Sequence, residues 1–391
     1  MMLVMVAGAG VIAYSFAGYP AIAWLVSRVR PPRRRPDVGS VWGVTVVVSA
    51  YQEADVIEEK IRSTLRLAVE VAELQIVVAI DGDDPTVDAA RLVDDGRVEV
   101  LHHAQRRGKS AAMYEAVARA RGDIVVFTDA NAEVQPGSLA ALVSWFADPK
   151  VGVVSGAKHV VGSGAADGDD LGEGAYWRYE SKLKQWETRA GTTVAVVGEL
   201  LAIRRSLIPV IPADIVNDDF FLAMRALRSG YSVVYEPEAR TIEAASPSLE
   251  SERQRRRRIV AGRSQAGRMW ADVLPYRRPV VLAAVLSHKY TRPLVPWAAI
   301  AGMAAALVAL VRPASTRERL MARAVLASAS VFLGLAAAAP VLPERPRAVR
   351  QAAGVCRMLT NANVAAAQGV IDDARRRTTA LWPRVTRTTL S

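Results

Sequence analysis

The sequence predicts an α/β domain whose sheet is covered on both faces, joined to apolar segments long enough to cross a membrane. Three short apolar runs carry the first half of that expectation. Residues 44–49 (VTVVVS), 75–80 (QIVVAI) and 124–127 (IVVF) are continuous rather than alternating, the pattern of strands buried on both sides. Each run empties into polar residues that lead toward a helical pattern, as in strand-helix units. Composition carries the second half: 51% of the 391 residues are hydrophobic and the mean hydropathy is +0.15, high for a wholly water-soluble chain.

The loops after these strands gather oxygen-bearing side chains. The third run continues into Thr128, Asp129, Ala130 and Asn131, at the sheet edge where open α/β sheets hold ligands. Asp129 and Asn131, two residues apart, can point the same way from an extended turn, which suits a divalent cation that also bridges a diphosphate. Solvated turn residues or helix caps are the alternative. The first run leads to Tyr51, Gln52 and Glu53, and the second to Asp81, Gly82, Asp83 and Asp84. Arg106, Arg107, Gly108 and Lys109 then open a helix over residues 110–121. Gly108-Lys109-Ser110 is not the end of a phosphate-cradling P-loop, because that motif needs glycine where His103 stands.

Taken in order, these segments resemble the family 2 glycosyltransferases, inverting enzymes with a GT-A fold that include cellulose-synthase-like and exopolysaccharide-forming members. The resemblance rests on SAYQEAD at 49–55, AIDGDD at 79–84, RRGKSAAMYEAV at 106–117 and FTDANAEV at 127–134. It continues through VVGELLAIRRSL at 196–207 and VNDDFFLAMRALRSGYSVVYEPEA at 216–239, and more weakly through SHKYTRPLVP at 287–296 with Asn361, Gly369 and Trp382. It implies a mixed, mainly parallel sheet, a nucleotide-sugar donor, with a UDP-sugar preferred on family habit, and Mg2+ or Mn2+. It also implies that Tyr51, Glu53, Asp81, Lys109 and Asp129 serve the donor. Asp129 is the first metal ligand; Asn131, standing for the second acid of the Asp-x-Asp pattern, is a weaker ligand or a bystander.

Displacement at an anomeric carbon needs a carboxylate to take the acceptor's proton, and positive charge for the departing diphosphate. By resemblance to the family's Glu-Asp motif, Asp219 is the base and Asp218 its orienting neighbour, a helix cap being the other reading for Asp218. Gly198 and Glu199 are expected to line the acceptor pocket, a strand bulge being the other reading for Gly198. Processive members carry Gln-x-x-Arg-Trp. Here Gln254 and Arg257 keep the spacing while Arg258 replaces the tryptophan. Arg257 then stabilises the leaving group, or the segment is a plain basic interfacial helix. Loss of the aromatic platform favours transfer of a single sugar to a lipid-linked or glycan acceptor over chain synthesis. A nucleotidyltransferase would begin with a glycine-rich basic loop, and a noncatalytic scaffold would not need Asp81, Asp129 and Asp219 together.

Residues 1–26 contain no charged side chain, long enough for a helix to cross a hydrocarbon core of about 30 Å. A cleaved signal peptide is the alternative, but there is no basic leading segment. Arg28, Arg30 and Arg33 to Arg35 follow, which places the catalytic domain in the cytoplasm, against the plasma membrane. The expected organisation is an anchor at 1–27, a catalytic domain at 41–245, interfacial helices at 246–292, two spans within 293–343 and a cytoplasmic or interfacial tail at 344–391. Trp270, Tyr276 and Tyr290 would sit at headgroup level, 359–371 would lie along the surface, and the Gly/Ala/Asp-rich 162–174 stretch would be a mobile loop over the donor. Arg312, Arg317 and Arg319 oppose the simplest version, since they fall between the last two spans on the far side.

The net charge of +11 raises nucleic acid as a partner. Its concentrated sources at 33–35, 253–258, 345–350 and 375–377 all adjoin apolar segments, which fits anionic lipid instead. No zinc-knuckle, helix-turn-helix or RNP-like pattern accompanies the charge. Cys356 is the only cysteine, which excludes an intrachain disulfide and a cysteine metal cluster.

Overall fold

The computed structural model describes residues 1–31, 33–36, 41–161, 168–244, 248–312, 314–342 and 346–377. The uncharged amino-terminal stretch forms α1 (Met2–Ala13) and α2 (Tyr19–Val29), joined by a π turn at Tyr14–Gly18. At its end Arg30 donates to the Ala190 carbonyl (2.6 Å), and Arg33 pairs with Asp148 (2.8 Å), so the first basic cluster ties this rod to the domain that follows.

The valine-rich runs form β1 (Gly43–Ala50), β2 (Glu73–Asp81), β3 (Val98–His103) and β4 (Ile124–Asp129), which lie parallel in the order β3-β2-β1-β4. Between them run α3 (Ala54–Arg66), α4 (Thr86–Arg91) and α5 (Lys109–Arg119). Successive strand side chains point to opposite faces. Val44, Val46 and Val48 therefore meet Ile57 and Ile61 of α3, while Val47, Val77 and Val125 meet Met113 of α5. Each such side chain contributes about 1.5–3 kcal/mol relative to exposure, which is why the runs are continuous rather than alternating.

β5 (Glu133–Val134), α6 (Ser138–Ser144), β6 (Val151–Val161), α7 (Gly168–Arg189), β7 (Leu201–Arg204), α8 (Asp218–Arg228) and β8 (Ser232–Ala244) complete the domain. β7 runs antiparallel between β4 and β6, β6 pairs parallel with β8, and β5 closes the edge antiparallel to β8. The sheet is thus mixed and mainly parallel, as expected. Residues 162–167 of the expected loop lie outside the described residues, as does Trp382; residues 168–174 open α7.

Beyond the sheet come α9 (Leu249–Arg268), α10 (Trp270–Val273), α11 (Pro279–Val285), α12 (Val295–Val311), α13 (Thr316–Ala338) and α14 (Arg347–Ala374). Three described helical stretches are long and apolar enough to cross a membrane: Met2–Val29, Pro279–Val311 and Thr316–Val341. The second begins earlier than the expected boundary at 293. Pro279 sits in the first turn of α11, and a π turn at Leu286–Tyr290 and a 3-10 turn at Arg292–Leu294 carry the helix past Pro293 and Pro296. The expected surface segment 359–371 is part of the longer α14, which lies against α9 so closely that a Cβ at Gly369 would stand 2.5 Å from the Arg257 carbonyl.

Candidate active site

The register of the parallel strands decides where the acidic loops meet. Ser49 of β1 stands opposite Asp129 of β4, and Ala50 opposite Ile80 of β2, so the three loops finish at one edge. Asp81 is 2% exposed and accepts from the backbone N–H groups of Arg107 (2.7 Å) and Gly108 (3.0 Å). Its carboxylate shapes the Arg106–Gly108 loop. That loop lays the Arg106 guanidinium 3.6 Å from the centre of the Tyr51 ring, giving the edge a flat cationic wall. The neighbouring Glu53 loop is held from the other side, with Gln52 N–H donating to Asp84 (3.0 Å) and Glu53 N–H to Thr86 (2.9 Å).

Lys109, in the first turn of α5, reaches across the edge. Its Nζ is 2.7 Å from Asp129 Oδ1 and 3.8 Å from Asp218 Oδ2. Asn131 Nδ2 donates to Glu243 Oε1 (2.6 Å), leaving the amide oxygen as its available donor atom, and Glu243 is in turn paired with buried Lys158. An aspartate at 131 would face Glu243 and repel it, which accounts for asparagine there. Among the described residues no three acidic, histidine or cysteine side chains converge on one point. One carboxylate and one amide oxygen nevertheless fit a cation that shares its remaining positions with phosphate oxygens and water.

Asn217 occupies the N-cap position of α8 but makes no side-chain cap bond, and Asp218 faces Lys109 instead of capping the helix. Asp219 points the other way. Its Oδ1 accepts from the Phe220 N–H (2.6 Å), and its carboxylate rests against Gly198, where a Cβ would come within 3.1 Å of Oδ2. Burial and the neighbouring Asp218 charge raise the Asp219 carboxyl to about 7, although Lys109 opposes the shift. A carboxylate in that range can accept a proton near neutral pH.

Asp219 lines a cavity of about 230 Å³. Gly198 and Glu199 lie on its wall. Glu180 and Lys184 of α7, Arg255, Arg256 and Arg263 of α9, Lys289 and Arg292 below α11, and Leu359 and Ala366 of α14 complete much of the enclosure. Phe16, from the amino-terminal apolar rod, also reaches it.

The expected Gln254–Arg257 pair is not part of this wall. Gln254 is exposed and bonds Glu250 (3.1 Å), while exposed Arg257 forms a two-bond pair with Asp372 of α14. The helical period explains the difference: residues 255, 256, 259 and 263 share the cavity face, and 254 and 257 fall outside it. Arg258 is within electrostatic reach of the edge carboxylates. Its charge is felt from Asp218, Asp129 and Asp219, burial lowers its pKa, and its Nε is buried with no hydrogen-bond partner. The basic run of α9 is therefore largely a lining of the site, with Arg255 and Arg256 also paired to Glu252 (2.9 and 2.5 Å).

Residues 45–210, which contain the Asp81, Lys109, Asp129 and Gly198 positions, match the model of glycosyl transferase family 2. The chain carries a family 2 glycosyltransferase domain. Poly-beta-1,6-N-acetyl-D-glucosamine synthase of Staphylococcus aureus (strain MSSA476) is 23% identical to this chain over 213 residues, covering 52% of this chain and 51% of that protein. Glycosyltransferase AglD of Haloferax volcanii is 36% identical over 122 residues, covering 29% of this chain and 20% of that one. The chain spans about half the length, or less, of these curated relatives. Among solved structures, the mannosyltransferase PcManGT from Pyrobaculum calidifontis, in complex with GDP-Man and Mn2+, superposes with a TM-score of 0.69 at 26% identity. It covers 96% of this chain and 99% of that one. The GT-A fold implied by the resemblance is thereby found.

Two supports of the glycosyltransferase domain carried no sequence signal of their own. Lys60 of α3, 4% exposed, runs beneath the Asp129 loop, donating to Thr128 Oγ1 (3.0 Å) and to the Ala132 carbonyl. Lys60→Met removes the donor from these buried acceptors, at a cost of about 1–3 kcal/mol. The expected result is a lower Tm together with weaker metal-supported donor binding by calorimetry; unchanged binding would remove Lys60 from the site's support.

Glu187 of α7 accepts from Tyr19 of α2 (2.6 Å) and Thr193 (2.7 Å) and is bonded to His288 Nδ1 (2.7 Å), joining the first two of the three candidate spans to the domain. Burial pushes its carboxyl up, but His288 and these hydrogen bonds outweigh that and hold it at about 2. Its stabilising contribution is therefore complete above the ordinary carboxylate range and is lost as pH falls through about 2. Glu187→Leu removes the carboxylate that faces His288 Nδ1 and accepts from the Tyr19 hydroxyl, and should destabilise the fold by about 3–5 kcal/mol, read as a fall in Tm in detergent. A Tm equal to that of the parent chain would contradict this strut.

Proposed function

We propose that this chain is a membrane-embedded, inverting, divalent-metal-dependent glycosyltransferase that moves one sugar from a nucleoside-diphospho-sugar to a lipid-linked or glycan acceptor at the cytoplasmic membrane face. The observation that carries the proposal is the position of Asp219: it lies within the field of the Lys109–Asp129 cluster and also forms part of the cavity wall. A sugar donor at the sheet edge and an acceptor in the cavity would share it as their boundary.

In this reading the Arg106–Gly108 loop and Tyr51 shape the nucleotide end, and Lys109 and Arg258 balance the diphosphate charge. A divalent cation at Asp129 and Asn131 would supply further charge neutralisation for the leaving group. Asp219 takes the acceptor proton as the acceptor oxygen bonds the anomeric carbon and the bond to the nucleoside diphosphate breaks. The likeness to PcManGT over nearly the whole chain supports GDP-mannose as the first donor to test, ahead of the UDP-sugars that family habit favoured. Arg258 in the tryptophan position, together with three candidate spans, supports single transfer over a processive synthase. The cytoplasmic assignment rests on the arginines that follow the first apolar stretch.

The test is release of nucleoside diphosphate from UDP-, GDP- and dTDP-sugars by the detergent-purified chain, with Mn2+ or Mg2+ and with chelator. Metal-dependent release from one donor is expected. Absence of both release and metal-dependent donor binding would favour a noncatalytic scaffold.

A further inference from the structure

The cavity beyond Asp219 is unevenly charged. Six basic side chains and four acidic ones line it, so the wall keeps positive charge after every acid is counted as ionised. The excess is concentrated where the catalytic domain meets the second candidate span. Arg292 gives one nitrogen to Glu180 Oε1 (2.6 Å), but its Nε and Nη2 are buried without a hydrogen-bond partner. Those two atoms lie on one edge of the guanidinium and form a fork that matches two oxygens of an oxyanion. Arg263 repeats the pattern. Its Nε is also buried and unpartnered, and its Nη1 has only a 3.5 Å contact with the Lys289 carbonyl. Lys289 itself lines the same wall, 9% exposed.

Buried N–H groups without acceptors are costly, and three of them around one cavity are hard to reconcile with a site that holds only neutral hydroxyls. The surroundings are amphipathic. Phe16 and Pro293 come from helical stretches apolar enough to cross a membrane, and Leu359 and Ala366 add an apolar face from α14.

From these observations we infer that the acceptor is a phosphate-bearing lipid whose anionic head is held by Arg263, Lys289 and Arg292. The inference rests on reading this cavity as the acceptor site of a glycosyltransferase, and it adds the chemical class of what enters. Its apolar chain leaves along Phe16 and α14, toward the membrane-crossing helices. The phosphate-binding group comes from α9 and the second candidate span, whereas Asp219 comes from α8, so recognition of the head and proton removal are done by different residues.

Binding to the full chain in neutral-detergent micelles tests this, with decyl phosphate, decanol and inorganic phosphate as probes for calorimetry. Decyl phosphate should bind at least tenfold more tightly than either of the others. Arg263→Gln and Arg292→Lys should each remove at least tenfold of that preference. The lysine variant keeps the charge opposite Glu180 and loses only the fork, which guards against simple unfolding. Donor binding, measured separately with GDP-mannose and Mn2+, should change less than twofold in both variants. Equal binding of decanol and decyl phosphate would overturn the inference, as would variants that keep the full preference. Inorganic phosphate binding as tightly as decyl phosphate would refute the lipid source. Donor binding that persists in any of these cases leaves the glycosyltransferase reading standing; absence of metal-dependent binding of every UDP-, GDP- and dTDP-sugar by the parent chain would remove that reading instead.

Discussion

Asp219→Asn is expected to lower turnover by about 10²–10⁴-fold while leaving donor affinity within a few-fold of the parent value. The asparagine keeps the shape beside Gly198 and still offers an oxygen to the Phe220 N–H, so the site should stay assembled. What it cannot do is accept a proton. The pH profile gives a second reading of the same group. Because burial and Asp218 raise the Asp219 carboxyl to about 7, the active, deprotonated form is lost as pH falls below that value. The parent enzyme's kcat should therefore rise with pH through about 7 and then level off, and the residual rate of the asparagine variant should lack that rise. A variant with parental kcat would show that another group, or the acceptor's own charge, does the work.

Arg258→Gln should cost about 10²-fold in kcat, a loss of the size seen when one stabilising donor to developing charge is removed. Arg258 feels the charges of Asp218, Asp129 and Asp219 and has a buried, unpartnered Nε, so its charge acts on the edge where the leaving diphosphate would gain negative charge. The effect should fall more heavily on kcat than on KM, since the charge it opposes grows as the glycosidic bond breaks. Arg257→Gln is the internal comparison. Its guanidinium is paired with Asp372 on the outside of α9, so kcat should change little although Tm can fall. If the two substitutions exchanged these outcomes, the spacing read from the family motif would have been the better guide than the helical face.

Much of the acidic sheet edge was legible because its residues follow strands whose continuous apolar runs fix where each loop begins. The three loops after residues 44–49, 75–80 and 124–127 did meet at one edge, and parallel register made that unavoidable. The Asp81 contact was less legible. A carboxylate after a strand can face a ligand or its neighbour's backbone, and only the fold of residues 106–108 brings two N–H groups to it. Lys60 was invisible for a different reason. A lysine that directly follows Glu58 and Glu59 in an amphipathic helix looks solvated until the loop of β4 is placed over it. In α9 the motif spacing outweighed helix geometry, which puts 255, 256, 259 and 263 on one face. The cavity itself depends on α7, α9, α14 and two apolar stretches far apart in sequence, and no local pattern encodes that meeting.

The most direct test of a single displacement assisted by Asp219 is the anomeric configuration of the transferred sugar, read by proton NMR on product made from an α-linked donor. A β-linked product is the result expected for one attack from the face opposite the leaving diphosphate. An α-linked product would contradict the account, because retention requires a different displacement pathway from the one assigned to Asp219.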